Sequence, residues 1–356
     1  MTEAANMEYI KLYNGVEMPM LGFGVFQIPD HEEAKRAVLA ALKAGYRLID
    51  TAQSYMNERA VGEALRESGI PRGEVFVTSK VWLQDFSYEG AQKAVARTLD
   101  AIGSDYVDLM LLHQPMGDYI GAWRGLEKLY KEGKIKAIGM ANCYPHVLAD
   151  LCETFDIRPM VNQAEMHPFF QQGKNLEMMK EYGVVPEAWA PFDEGLRNIF
   201  LGPVLTGIGK KYGKSAAQVA LRWNLQRGVV VIPKSVHEER IRENSDVFDF
   251  TLSEDDMKAI AAMDIGHSEI VDHFDPHWIR MLLKRRAMLP QIMLQKAAPE
   301  TDVSGAAFYL SVFKFIYAAG QSMRRPQAPR RCRVLPRSAP RARIPCRRTA
   351  ACSSLL

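Results

Sequence analysis

The sequence predicts an α/β chain whose main part is a single (β/α)8 barrel, preceded by a β-hairpin and followed by a disordered basic tail. Three observations predict it. Eight short apolar segments rich in β-branched residues recur between residues 20 and 232, separated by helix-length amphipathic stretches. The segments lack clean polar–apolar alternation, as strands buried on both faces of a parallel sheet do. Eight such units in about 250 residues match a closed barrel better than an open doubly wound sheet.

The elements follow in order. Ile10–Leu12 and Glu17–Met20 flank Asn14-Gly15, the strong hairpin signal, and are expected to plug the barrel floor. Met20–Val25 is the first barrel strand, followed by a helix over Glu32–Ala44. Tyr46–Asp50 (YRLID) is the second strand and Val75–Ser79 (VFVTS) the third, with a helix over Tyr88–Ile102 behind it. Val107–Leu112 (VDLMLL), Ile135–Met140 (IKAIGM), Met160–Gln163, Val184–Trp189 and Val229–Ile232 (VVVI) complete the eight. Ala122–Lys131 and Ser215–Gln226 are among the helices between them.

Composition narrows the class. Of 356 residues, 47% are hydrophobic and 24% charged, enough apolar material for a large buried core. No apolar run reaches the ~18 residues of a membrane span, and Met1–Tyr9 does not read as a secretory signal. Only Cys143 and Cys152 precede residue 300; Cys332, Cys346 and Cys352 follow. These predict neither a disulfide framework nor a zinc site, and a cytoplasmic setting. The formal charge of +3 conceals an asymmetry, because no acid follows Asp302. Residues 1–302 hold 34 bases against 42 acids, a net of −8, which argues against a broad nucleic-acid face on the barrel. The expected division is a barrel domain over 1–280 and an atypical tail over 281–356. Residues 324–348 are Arg/Pro-rich and cannot bury a core; an RNA- or acidic-membrane-binding arm is the sharper alternative. The apolar run Ala306–Ala319 is interrupted by Lys314 and too short to span a bilayer. No oligomerisation stripe is evident, so a monomer is expected.

The polar residues carry the functional argument. Chemistry in a (β/α)8 barrel sits at the C-terminal ends of the strands. Asp50 ends the second strand, Lys80 the third, His113 the fourth and Gln163 the sixth; Asn142 follows the fifth and Lys234 the eighth. Tyr55 lies five residues past Asp50, in the loop over the mouth. A lone Asp after a strand is usually a turn residue, a lone Lys solvated and a lone His structural. Five or six such coincidences on one rim make that bland reading the weaker one. Tyr, Lys, Asp and His together form a metal-free proton-delivery set. A phenol titrates near pH 10; an ammonium at Lys80 is expected to lower it, with Asp50 holding Lys80 in place. A neutral His113 is expected to bond a carbonyl oxygen and orient the substrate.

These residues also carry a family resemblance. GYRLIDTAQSYMNERAVGEAL, VTSKVW, LLHQP and IPKSVHEERIRENSDVFDF resemble, in order, four motifs of the aldo-keto reductases, over residues 9 to 275. The bacterial branch of 2,5-diketo-gluconate reductases and prostaglandin F synthase-like enzymes is the most similar. The resemblance implies NADPH-dependent reduction of small aldehydes and ketones, including α-dicarbonyls and keto sugars. It implies a tetrad of Asp50, Tyr55, Lys80 and His113, with Tyr55 as general acid. Asn142 and Gln163 would hold the nicotinamide carboxamide. Lys234, Ser235 and Arg240 would bind the adenosine 2′-phosphate, Glu243 and Asn244 would reach the adenine, and Trp82 and Phe26 would line the substrate pocket. Three departures stand out: Gln114 where the family often has Trp, Ala141-Asn142-Cys143 in place of Ser-Asn-Phe, and Ala190-Pro191-Phe192 in place of Ser-Pro-Leu. The last two remove hydroxyls expected near the cofactor. The specificity loop expected after Asp275 runs through Pro276–Arg286 into the tail.

Other motifs are set aside. Gly213-Lys214-Ser215 lacks the first glycine of a phosphate loop, and Gly22-Phe23-Gly24 is only a fragment of a dinucleotide fingerprint. Asp272, His273, Asp275 and His277 show no ligand register and read as a solvated polar loop. Cys143 reads as a small buried hydrophobe. The competing function is a non-catalytic barrel that senses NADPH redox state; a sugar-phosphate isomerase would need a carboxylate base where this rim offers Tyr and Lys.

Overall fold

The computed structural model describes residues 7–285. The hairpin pairs β1 (Tyr9–Lys11) antiparallel to β2 (Glu17–Pro19), with Tyr9 opposite Pro19. Gly15 takes φ +92° in the turn, a conformation that favours glycine. Eight parallel strands then follow in chain order: β3 (Phe23–Gly24), β4 (Leu48–Asp50), β5 (Phe76–Val81), β6 (Val107–Leu112), β7 (Ile135–Ala141), β8 (Val161–Glu165), β9 (Val185–Trp189) and β10 (Val230–Val231). Each pairs with its sequence neighbours. The sheet closes on itself: Gly22 N donates to Val231 O at 2.8 Å, Val231 N to Met20 O at 3.0 Å and Gly24 N to Pro233 O at 3.1 Å. Closure removes the edges of the sheet, so its backbone groups are paired all round. β4, β5 and β6 are buried at every position, which is why they read as unbroken apolar runs.

Helices occupy the outside. They are α1 (His31–Lys43), α2 (Glu58–Glu67), α3 (Tyr88–Ile102), α4 (Tyr119–Lys131), α5 (Pro145–Thr154), α6 (Gly173–Tyr182), α7 (Pro203–Tyr212), α8 (Ala216–Gln226), α9 (Glu238–Ser245), α10 (Glu254–Ala261) and α11 (Pro276–Arg285). Their starts are written locally. Asp30, Ser87 and Asp118 cap α1, α3 and α4, and Ser215 with Gln218 forms a capping box on α8. α2 and α3 approach closely at Gly62, where an added Cβ would lie 2.2 Å from the Ile102 carbonyl oxygen. The expected elements are all present: Val107–Leu112 and Tyr88–Ile102 keep their bounds, and the others shift by at most three residues at an end. The expected domain boundary at residue 280 falls inside α11, whose Leu282 is buried against the barrel core. The rest of the predicted tail, residues 286–356, lies outside the described residues, as do the apolar run Ala306–Ala319 and the Arg/Pro-rich stretch.

Candidate active site

The C-terminal ends of β4, β5 and β6 bring Asp50, Lys80 and His113 together, and the turn after β4 adds Tyr55. Lys80 is fully buried, 0% exposed. Its Nζ donates to Asp50 Oδ1 at 2.5 Å and to Thr51 O at 3.0 Å, and lies 3.4 Å from Tyr55 Oη. A buried ammonium needs such partners, because desolvation alone drives it to the neutral form. Burial works against the Lys80 charge, and Asp50, then Tyr55, hold its pKa above the ordinary lysine value. For Asp50, burial pushes the carboxyl up, while Lys80 and the Gln163 amide pull it back.

The turn that presents Tyr55 is built for it. A single 3-10 turn, Gln53–Tyr55, ends at Met56 in a left-handed conformation of φ 61°. Asn57 then ties the loop down. Its amide donates to Val25 O at 2.9 Å and Ile28 O at 3.0 Å, and its oxygen accepts from Thr51 Oγ1 at 2.7 Å. One residue further on, the half-buried Glu58 accepts from Ser79 Oγ at 2.6 Å and Thr98 Oγ1 at 2.8 Å, fastening α2 to β5 and α3. Asn57 and Glu58 thus work as anchors of the Tyr55 turn. The sequence left Asn57 unremarked; its position directly behind the tyrosine was the available signal.

The electrostatics of Tyr55 depart from the expectation. Lys80 does lower the phenol, but burial acts more strongly in the opposite sense and Asp50 adds to it. The net pKa is pushed up to about 12. The phenol is therefore a firmly protonated group at neutral pH. His113 behaves as expected: burial first, then Lys80 and His273, holds its pKa well below the ordinary histidine range. Its Nδ1 lies 3.4 Å from Ser54 Oγ, and Nε2 makes no hydrogen bond among the described residues.

Aromatic rings wall the space around these groups. Phe26 lies 5.0 Å from the Tyr55 ring centroid, Tyr55 5.7 Å from His113, and Trp82 4.9 Å from His113. Phe26 and Trp82 thus lie beside Tyr55 and His113. Asp272 and His277 are exposed, as a solvated loop predicts, but His273 is half-buried: it lies 3.5 Å from Tyr144 Oη through Nδ1, and burial pushes its pKa down to about 4. Phe274 packs on the same tyrosine, with ring centroids 4.5 Å apart.

The candidate cofactor residues divide into two sets. Asn142, at φ 59° directly after β7, donates to His113 O at 3.1 Å and accepts from Trp189 Nε1 at 2.8 Å. Gln163 donates from Nε2 to Asp50 Oδ2 at 2.8 Å and to Glu187 Oε2 at 2.9 Å. Its Oε1 makes no hydrogen bond among the described residues and is left as an acceptor. Trp189 and Glu187, both on β9, are site residues that the sequence reading passed over; a carboxylate inside the apolar strand VPEAW was the signal.

The second set lies after β10. Lys234 and Arg240 are exposed and form no ion pair among the described residues, whereas Ser235 and Asn244 are buried. Ser235 Oγ accepts from His237 N at 3.1 Å at the start of α9, whose first turn has no side-chain cap. Two unclaimed cations beside an uncapped helix N-terminus suit an anion. Glu243 is exposed on the same helix face as Arg240 and Asn244, three and four residues along. This donor set fits a phosphate-bearing cofactor.

One further polar cluster was not expected. Glu165, His167 and Asp193 come within 4.8 Å of one another and are buried. His167 Nε2 lies 3.0 Å from Glu165 Oε1 and 3.3 Å from Asp193 Oδ1. The His167 Nδ1 is buried without a partner. Metal-bound imidazoles regularly donate that second N–H to an acceptor, so the cluster is better described as a histidine between two carboxyl groups. Cys143 is buried, as expected, and burial pushes its thiol well above the usual range. Among the described residues no helix is long and apolar enough to cross a membrane.

The chain is similar to known proteins over most of its described length. The model of the aldo/keto reductase family matches residues 20–265. Glyoxal reductase of Bacillus subtilis is 50% identical over 255 residues, covering 71% of this chain and 92% of the relative. Morphine 6-dehydrogenase of Pseudomonas putida is 44% identical over 277 residues, covering 74% and 93%. Among solved structures, an aldo/keto reductase from Brucella melitensis superposes with a TM-score of 0.70 at 42% identity, over 73% of this chain and all of that one. An aldo-keto reductase complexed with NADPH superposes at 0.71 and 32% identity, over 74% and 89%. With the closed barrel, the buried Asp50–Lys80 pair beside Tyr55 and His113, and a family match over more than half its length, the chain belongs to the aldo/keto reductase family.

Proposed function

We propose that the protein reduces small aldehydes and ketones, α-dicarbonyls and keto sugars among them, with NADPH as hydride source and Tyr55 as proton donor. The observation that carries this reading is Lys80, whose buried Nζ joins Asp50 Oδ1 to Tyr55 Oη. Bound NADPH supplies the hydride. The chain's residues supply the proton and the orientation. The Tyr55 phenol, protonated at neutral pH, gives its proton to the oxygen of the substrate as negative charge develops there. The Lys80 ammonium then stabilises the phenolate left behind, and Asp50 keeps that ammonium charged. Neutral His113 offers an N–H to the same carbonyl oxygen through the nitrogen not facing Ser54. Phe26 and Trp82 give the pocket apolar walls that exclude water.

Asn142 and Gln163 would hold the carboxamide of the nicotinamide. Lys234, Ser235 and Arg240 would take the 2′-phosphate, and Glu243 and Asn244 the adenine. The glyoxal reductase relative supports an α-dicarbonyl as one substrate. We read it as a cytoplasmic monomer acting on small molecules; the net acidity of residues 1–302 supports only the absence of nucleic acid and acidic membrane partners.

The test follows NADPH absorbance with a panel of aldehydes and α-dicarbonyls, for wild type and Tyr55→Phe, with NADH in parallel. Turnover that prefers NADPH and falls at least about 10²-fold in the variant is the expected result. Tight NADPH binding with negligible turnover in both proteins would replace the reductase by a redox-sensing barrel.

A further inference from the structure

A second acid is buried behind the tetrad. Glu187 lies within β9, its register partner on β8 is Gln163, and the partner of Gln163 on β7 is Ala141. Paired residues of adjacent strands project to one face, so Ala141, Gln163 and Glu187 form a row. Gln163 Nε2 sits between two carboxyl groups, donating to Asp50 Oδ2 at 2.8 Å and Glu187 Oε2 at 2.9 Å. Those two bonds use both of its hydrogens. Glu187 is 0% exposed, and its Oε1 is buried without a partner.

Charge balance decides the state of this acid. The charged and titratable groups acting on it are Asp50 from β4 and Lys80 from β5, with Tyr55 responding to it from the turn after β4. Lys80 bonds Asp50 directly and does not bond Glu187. Two buried carboxylates against one ammonium would leave one anion uncompensated, and such a group neutralises instead.

We propose that Glu187 is a positioning residue, a protonated carboxylic acid at neutral pH that locks the Gln163 carboxamide between itself and Asp50. The lock has two consequences. Gln163 cannot rotate its amide, so only Oε1 is presented outward, as an acceptor for an amide N–H. Asp50 keeps its full negative charge for Lys80, because no second anion competes for that ammonium. Burial first, and then the Asp50 charge, push the Glu187 carboxyl up to about 8. The acid is neutral below that pH and ionised above it. Ionisation adds negative charge near Tyr55, which raises the phenol further and weakens it as an acid. Turnover therefore declines as pH rises through about 8.

The protonated state is independent of the reductase reading; the effect on the cofactor rests on it. Infrared difference spectroscopy of wild type against Glu187→Gln tests the first. A carboxylic-acid C=O band present at neutral pH, lost in the variant and titrating near 8, is expected. Its absence from wild type at neutral pH would overturn the proposal. NADPH fluorescence titration and pH profiles test the second. Glu187→Gln retains an acceptor for Gln163, so it should bind NADPH within about twofold of wild type and lose the alkaline decline in kcat. Glu187→Leu removes the acceptor, and its NADPH Kd should rise about 5–10-fold, with a smaller change in kcat. An alkaline decline that persists in Glu187→Gln, or wild-type NADPH affinity in Glu187→Leu, would refute the lock. If wild type binds no NADPH, the reductase reading and the cofactor part of this proposal fall together, while the infrared band still decides the protonation state.

Discussion

Replacing Asp50 by Asn removes the carboxylate that pairs with Lys80 while leaving the side-chain shape almost unchanged. Both partners are buried, and their contact is 2.5 Å. Removing one member of a buried ion pair typically costs about 3–5 kcal/mol, because the remaining charge stays desolvated. At roughly 2–4 °C per kcal/mol for a domain of this general size, Asp50→Asn should lower Tm by about 6–20 °C. The pH dependence carries a definite sign. Burial lowers the Lys80 pKa, and Asp50 is the largest influence raising it. Without Asp50 the folded-state pKa falls below the unfolded one, so the folded variant binds fewer protons than the unfolded chain between the two values. Its stability then rises with pH across that window, and the gap to wild type narrows from neutral towards alkaline pH. A second substitution, Lys80→Met, should restore much of the loss by removing the stranded charge. Thermal and urea unfolding of the two single variants and the double variant at several pH values measure all of this. A loss under about 1 kcal/mol in Asp50→Asn would refute the buried-charge argument. So would a double variant whose losses simply add.

Further outcomes follow from the same geometry. Tyr55→Phe should cost at least about 10²-fold in kcat and leave NADPH affinity nearly unchanged, which steady-state kinetics and fluorescence titration would measure. Lys234→Ala should weaken NADPH binding by about 10–100-fold, from the loss of one charge-assisted contact, and barely alter NADH; equal losses for both cofactors would remove Lys234 from the 2′-phosphate site. Because His113 is held neutral well below its ordinary range, the pH profile of kcat/KM should show no acid limb at the usual histidine value near 6.5. Gly62→Ala should destabilise the fold by about 1–3 kcal/mol, since the new Cβ meets the Ile102 carbonyl across α2 and α3.

The barrel was legible because its signals are local. Apolar runs without alternation and Asn14-Gly15 each act over a few residues. The tetrad was legible for a related reason: strand ends are points in the sequence, and the topology places them on one rim. What stayed hidden was set by partners distant in the chain. Glu187 looked like an odd residue in an apolar strand until β8 put Gln163 beside it. His273 read as a solvated residue because its contact, Tyr144, lies 129 residues away. Glu165, His167 and Asp193 share no spacing that a ligand motif would show.

Tyr55 draws the line most clearly. Positions at and just past strand ends in the sequence pointed to the phenol and to the lysine that acts on it. The direction of its pKa needed the tertiary structure, because burial and an ion pair oppose each other there and their balance depends on how deeply the group lies. The order of strands, the rim and the identities of Asp50, Tyr55, Lys80 and His113 were determined by local sequence. Which buried groups carry charge, and that α11 continues the barrel past residue 280 through Leu282, were decided only by packing, since desolvation and long-range contact exist only once the chain has closed on itself.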